Sequence, residues 1–118
     1  MKKDILVVDD ELDQRDYLKA LLEDHGYSVR TAADGLEAMQ RVKEATPDLV
    51  LLDLQMPEET GTGFYRKLHQ HSELRTIPVI VISGLAGRDV AVSKSVVVLD
   101  KPLDEARVLE EVRRVFPD

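Results

Sequence analysis

Five polar residues stand where apolar runs end in this chain. Asp9 and Asp10 follow Ile5–Val8, Asp53 follows Leu49–Leu52, Ser83 follows Ile77–Ile82, and Lys101 comes just after Val96–Leu99. Acids brought together repel one another unless protons or a cation neutralise them. A hard divalent cation with oxygen ligands, Mg²⁺ above all, is the usual solution. A carboxylate can also act as a nucleophile toward phosphorus and form an acyl phosphate. A hydroxyl and an ammonium can then hold the oxygens of the transferred group. The set therefore suits phosphoryl transfer, which asks mainly for positioning and charge neutralisation.

Such a site needs elements that bring these ends together. Ile5–Val8 reads as strand one. A helix runs from Asp10 or Glu11 to His25, with Leu12, Leu18, Leu21 and Leu22 near helical spacing and Gly26 as its stop. Tyr27–Thr31 is strand two. Asp34 caps a second helix on which Leu36, Met39 and Val42 recur until Thr46-Pro47 ends it. Leu49–Leu52 is strand three, a continuous apolar run of the kind buried on both faces of a parallel sheet. Phe64–His71 suits a third helix, Ile77–Ile82 strand four and Val96–Leu99 strand five. Asp104 opens a last helix with Val108, Leu109, Val112 and Val115 on one face. Between Gly84 and Ser95, two glycines and several valines predict a short or distorted fourth helix.

Strands alternating with helices imply an α/β fold with a parallel sheet covered on both faces. Right-handed crossovers leave few topologies, and a flavodoxin-like (βα)5 three-layer sandwich with strand order 2-1-3-4-5 is the expectation. In such sheets chemistry collects at the carboxyl ends of the strands, where all five polar residues fall.

Composition narrows the class. The 118 residues are the size of one domain, read as spanning 1–118, and 43% apolar with 33% charged residues describes a globular chain. The net charge of −7 argues against direct binding of nucleic acid through its phosphates. Without cysteine there are no disulfides or thiolate metal sites. No apolar run approaches membrane-spanning length, so no membrane insertion is expected. The stretch after Lys2-Lys3 is too short and too acidic in its flanks for a signal peptide, and a cytoplasmic location is the expectation.

Asp9-Asp10-Glu11, Asp53 with Met56-Pro57 and Thr60-Gly61 after it, Ser83, and Lys101-Pro102 occur in that order over essentially the whole chain. In this the sequence resembles the receiver domain of two-component response regulators. The resemblance implies that Asp53 accepts a phosphoryl group from a histidine kinase or histidine phosphotransfer domain. It implies that Asp10, Asp53 and the backbone carbonyl of Gln55 ligate Mg²⁺ or Mn²⁺, with Asp9 acting indirectly. Lys101 would pair with Asp53 and then with the phosphoryl oxygens, and Ser83 would hydrogen-bond the phosphoryl group as the switch begins. It also implies a cis bond at Lys101-Pro102, a homodimer or downstream effector as output partner, and a phosphoacceptor rather than an enzyme, one that promotes its own phosphorylation and dephosphorylation.

The sequence departs from the family pattern on one side. Where the family carries an aromatic three positions before the lysine, this chain has Val98, and Lys94-Ser95 replace the usual small pair before strand five. The expectation is retained phosphorylation chemistry with output through an altered fourth helix. Leu85, two residues after Ser83, offers no hydrogen bond to a hydrolytic water, so slow self-dephosphorylation is expected.

Each residue has a plainer explanation when taken alone. Asp9, Asp10 and Glu11 suit the start of a helix, Ser83 a turn, Lys101 and Arg113-Arg114 a solvated face. His25, His69 and His71 lack ligand spacing and are read as surface residues. Among other functions, a scaffold that is never phosphorylated is the alternative. A dehalogenase-like phosphatase would need an acid where Gln55 stands. A flavin protein would need a hydroxyl- and glycine-rich loop where Asp9-Asp10-Glu11 stands.

Overall fold

A computed structural model describes residues 2–54, 60–83 and 97–117, with the backbone alone for residues 60–62. Its elements in chain order are β1 (Asp4–Val8), α1 (Leu12–Asp24), β2 (Ser28–Ala32), α2 (Gly35–Glu44), β3 (Leu49–Asp53), α3 (Thr60–Gln70), β4 (Val79–Ser83), β5 (Val97–Asp100) and α4 (Glu105–Val115). The sheet is parallel throughout, in the order β2-β1-β3-β4-β5. This is the expected flavodoxin-like arrangement. The segment read as a short fourth helix, Gly84–Ser95, lies outside the described residues, as does Gln55. Among the described residues no helix is long and apolar enough to cross a membrane.

Two apolar layers sandwich the sheet, and the two-residue period of the strands sorts side chains between them. Leu6, Val8, Val50, Leu52 and Val81 meet α2 and α3 through Ala38, Met39, Val42, Phe64 and Leu68. Ile5, Val7, Leu49, Leu51, Ile82 and Leu99 meet α1 and α4 through Leu18, Leu22, Val108, Leu109 and Val112. Because both faces of β1 and β3 are covered, these strands read as unbroken apolar runs.

Helix starts follow local chemistry. The Asp34 side chain accepts from the Glu37 amide at 2.8 Å, and Glu37 in turn accepts from the Ala33 amide at 2.7 Å. This is a reciprocal cap of the capping-box type. Asp104 caps α4 by accepting from the Ala106 amide at 3.1 Å. Gly26 ends α1 with φ of +92°, a conformation that favours glycine.

Four expectations are corrected. Leu12 and Leu36, which fall near the helical spacing of their apolar neighbours, are 59% and 69% exposed, each in the first turn of its helix. Ala38 holds the buried position on α2 instead. Helix α3 begins at Thr60 rather than Phe64, so the Thr-Gly-Thr-Gly stretch is helical despite poor propensity, and tertiary context prevails. Strand β3 carries on through Asp53, and the following Leu54 amide still donates to Ile82 O at 3.1 Å.

Candidate functional site

Asp53 is the last residue of the central strand, continues the phase of Leu49 and Leu51, and is 0% exposed. Beside it, β1 ends at Val8 and delivers Asp9, which is 1% exposed, and then Asp10, which is exposed. One carboxylate oxygen from each of Asp9, Asp10 and Asp53 lies within 4.8 Å of the others. The parallel pairing of β1 with β3 places them together, since Val8 is in register with Leu52.

Lys101 completes the cluster from two strands away. Its Nζ lies 2.9 Å from Asp53 Oδ2 and 3.9 Å from Glu11 Oε1. The Lys101 amide donates to Ser83 O at 3.2 Å, so the lysine is pinned to the end of β4. Ser83 itself is fully buried and in register with Asp100. The Lys101-Pro102 peptide is cis, as expected.

Asp9 is held in three places. Its amide donates to Ala32 O at 3.0 Å, its Oδ1 accepts from the Glu11 amide at 2.9 Å, and its backbone carbonyl accepts from Arg15 Nη1 at 2.6 Å. Its Oδ2 is buried and, among the described residues, has no hydrogen-bond partner. Burial and the neighbouring Asp53 push its carboxyl up to about 7, against the Glu11 amide and Lys101, which favour the charged form. For Lys101, burial works to lower the ammonium. The hydrogen bond and charge of Asp53, with Asp9 and Glu11 behind it, outweigh burial and leave it raised.

The donor set fits a hard divalent cation. All the donors are carboxylate oxygens, one of them buried and unpartnered. Oxygens around octahedral Mg²⁺ stand at most roughly 4.2 Å apart, twice the usual bond length, so small adjustments suffice to close the group. The raised Asp9 carboxyl is the cost of holding these acids together without a cation.

Asp9, Asp10, Asp53, Ser83 and Lys101 thus meet at one rim. Gln55 and Leu85 lie outside the described residues. Val98 is half-buried on β5 and packs against the α2–α3 layer, with no ring at that position. Sequence reasoning missed Arg15 as a neighbour of the site and Glu111, a buried carboxylate on α4 paired with Arg107 and Arg114. A cation in the first turn after the acid run was the signal for Arg15. The spacing of Arg107 and Arg114, four before and three after Glu111, was the signal for the second.

A parallel five-stranded sheet in the order 2-1-3-4-5, with an acid triad and a lysine at its carboxyl rim, is a flavodoxin-like α/β domain with its polar site at the strand ends. The family model for the response regulator receiver domain matches residues 5–113, and the chain belongs to that family. Among its relatives, it is 33% identical over 112 residues to protein Rrf1 of Nitratidesulfovibrio vulgaris, covering 95% of this chain and 81% of that protein. It is 30% identical over 122 residues to the polar-differentiation response regulator DivK of Brucella anthropi, covering 100% and 99%. Among solved structures, the chemotaxis response regulator CheY4 of Vibrio cholerae matches with a TM-score of 0.84 at 29% identity, covering 98% of this chain and 99% of that one. The receiver domain of sensor histidine kinase PA1611 from Pseudomonas aeruginosa, solved with magnesium in its active-site cleft, shares the fold with a TM-score of 0.86 at 22% identity over both full chains.

Proposed function

We propose that this receiver domain takes a phosphoryl group on Asp53 from the phosphohistidine of a histidine kinase or phosphotransfer domain, and that the product alters binding to an effector or a second copy. The observation that carries this reading is a fully buried Asp53 hydrogen-bonded to Lys101 within a triad of carboxylates from Asp9, Asp10 and Asp53. A carboxylate oxygen of Asp53 forms the new O–P bond as the N–P bond to the donor imidazole breaks.

Asp10, Asp53 and the backbone carbonyl of Gln55 would hold Mg²⁺, with Asp9 supporting them. Bound there, the ion neutralises charge on the phosphoryl oxygens. Lys101 shifts its ammonium from the carboxylate to a phosphoryl oxygen, a move that keeps a positive charge beside the reacting group throughout. Ser83 donates its hydroxyl to another oxygen. Phosphorylation replaces a buried carboxylate with a larger and more negative group, and Ser83 and Lys101, joined through the Ser83 carbonyl, respond together. A cytoplasmic setting, where such donors act, is part of the reading.

Incubation with Mg²⁺ and acetyl phosphate, followed by intact-mass measurement, tests it. A single added phosphoryl group that is lost in Asp53→Ala supports the phosphoacceptor. No adduct, together with no binding of beryllofluoride, sinks it and leaves the interaction scaffold.

A further inference from the structure

We infer that Arg15 is a positioning residue for the cation site: its guanidinium fixes the Asp9–Asp10 peptide so that the Asp10 carboxylate is held ready for the metal. The inference rests on the metal reading given above.

Arg15 lies one turn into α1, where its amide donates to Glu11 O at 3.0 Å in the first hydrogen bond of the helix. Side chains on a helix lean toward its N-terminus. That lean carries the guanidinium back over the first turn to Asp9 O, where Nη1 donates at 2.6 Å. A cation near a helix N-terminus opposes the helix dipole, so helix stability does not account for it. Among the described residues Arg15 pairs with no carboxylate, although Asp10, Glu11 and Asp13 are close in sequence. Its bond goes to a carbonyl instead.

That carbonyl belongs to the peptide that carries the Asp10 amide. The Ala32 carbonyl and the Glu11 amide hold the rest of Asp9. Among the described residues, Arg15 therefore supplies the one tether on the peptide between the two acids. Outer partners of this kind orient metal ligands.

Positioning and bulk charge predict opposite signs. Removing a positive charge beside an acid cluster should tighten cation binding, whereas losing the tether should loosen it. Mg²⁺ titrations by calorimetry and by amide shifts of the full chain separate the two. Arg15→Met is expected to bind Mg²⁺ about tenfold more weakly, with the Asp10 amide displaced in the metal-free spectrum. Arg15→Lys, which keeps the charge without the planar fork, is expected to recover part of the loss.

Equal or tighter binding by Arg15→Met overturns the inference while leaving the metal reading standing. If that variant does not fold, Arg15→Lys decides, and parental affinity in it overturns the inference. Wild-type protein that takes up no Mg²⁺ at millimolar concentration overturns the metal reading and this inference with it.

Discussion

Lys101 Nζ stands 2.9 Å from Asp53 Oδ2, while the backbone of the same lysine is tied to Ser83 O on the neighbouring strand. One residue thus touches the charge at the centre of the sheet and the hydroxyl-bearing strand beside it. Lys101→Met keeps the length of the side chain and removes the ammonium. Labelling by acetyl phosphate should slow by roughly a hundredfold, the usual effect of losing one preorganised donor at a reacting centre. Mg²⁺ binding should persist or tighten, since a competing positive charge is gone. Time-resolved intact mass and calorimetry check both, and an undiminished labelling rate would count against the role.

Asp9 gives the metal-free protein a pH dependence of known sign. Its folded value of about 7 stands above the 3.8 of a free carboxyl. Between these values the folded chain keeps a proton that the unfolded chain has lost. The contribution to stability is full below about pH 4 and is lost as pH rises through 7. In EDTA, the melting temperature should fall from pH 5 to pH 8, and Asp9→Asn should flatten that fall. A parallel fall in parent and variant would assign the effect to general charge.

Mg²⁺ should reverse the loss. A ligand at a hundred times its Kd adds about 2.7 kcal/mol to the folded state, on the order of 10 °C for a domain of this size. Asp10→Ala should remove most of that gain without lowering the metal-free melting temperature, because Asp10 is exposed. Calorimetric melts with and without Mg²⁺ decide it.

Gly63 lies inside α3 at an ordinary helical angle, and a Cβ built there meets nothing within 4 Å. Gly63→Ala should stabilise the fold by about 0.5–1 kcal/mol through helix propensity, visible as a rise of a few degrees. A fall would show that the glycine serves a contact made outside the described residues.

Val98 cannot swing a ring between buried and exposed positions, and it sits half-buried against the α2–α3 layer. Output should then pass through the segment before it. Beryllofluoride with Mg²⁺ should move the amide resonances of Gly84–Leu99, and a spectrum unmoved there would exclude that route.

Much of this arrangement was legible in the chain. Apolar runs buried on both faces have few readings, so β1, β3 and β4 and the acids and hydroxyl at their ends stood out. The helices were harder to phase. Spacing alone gave Leu12 and Leu36 the same weight as Leu18 and Met39, and only packing shows that the first turns of α1 and α2 tilt those leucines outward. Asp9 is buried like Asp53, because Glu11, Ala32 and Arg15 hold it from three sides, and no spacing in the chain signals that burial. Such tethers depend on backbone atoms, which leave little trace in residue types. The departure at α3 has another origin: propensity argued against Thr60–Gly63, while Phe64, Tyr65 and Leu68 bury the face of the helix that follows.

The strand order has a mechanical consequence. Asp53 ends β3, which is hydrogen-bonded to a strand on each side, whereas Lys101 follows β5, which among the described residues has a ladder on one side only. On the proposed reading, charge is added at the end of a strand paired on both sides, and the lysine that answers it stands at a margin of the sheet. A displaced ammonium would then be carried by a strand with one neighbouring ladder to strain, still tied to β4 through the Ser83 carbonyl.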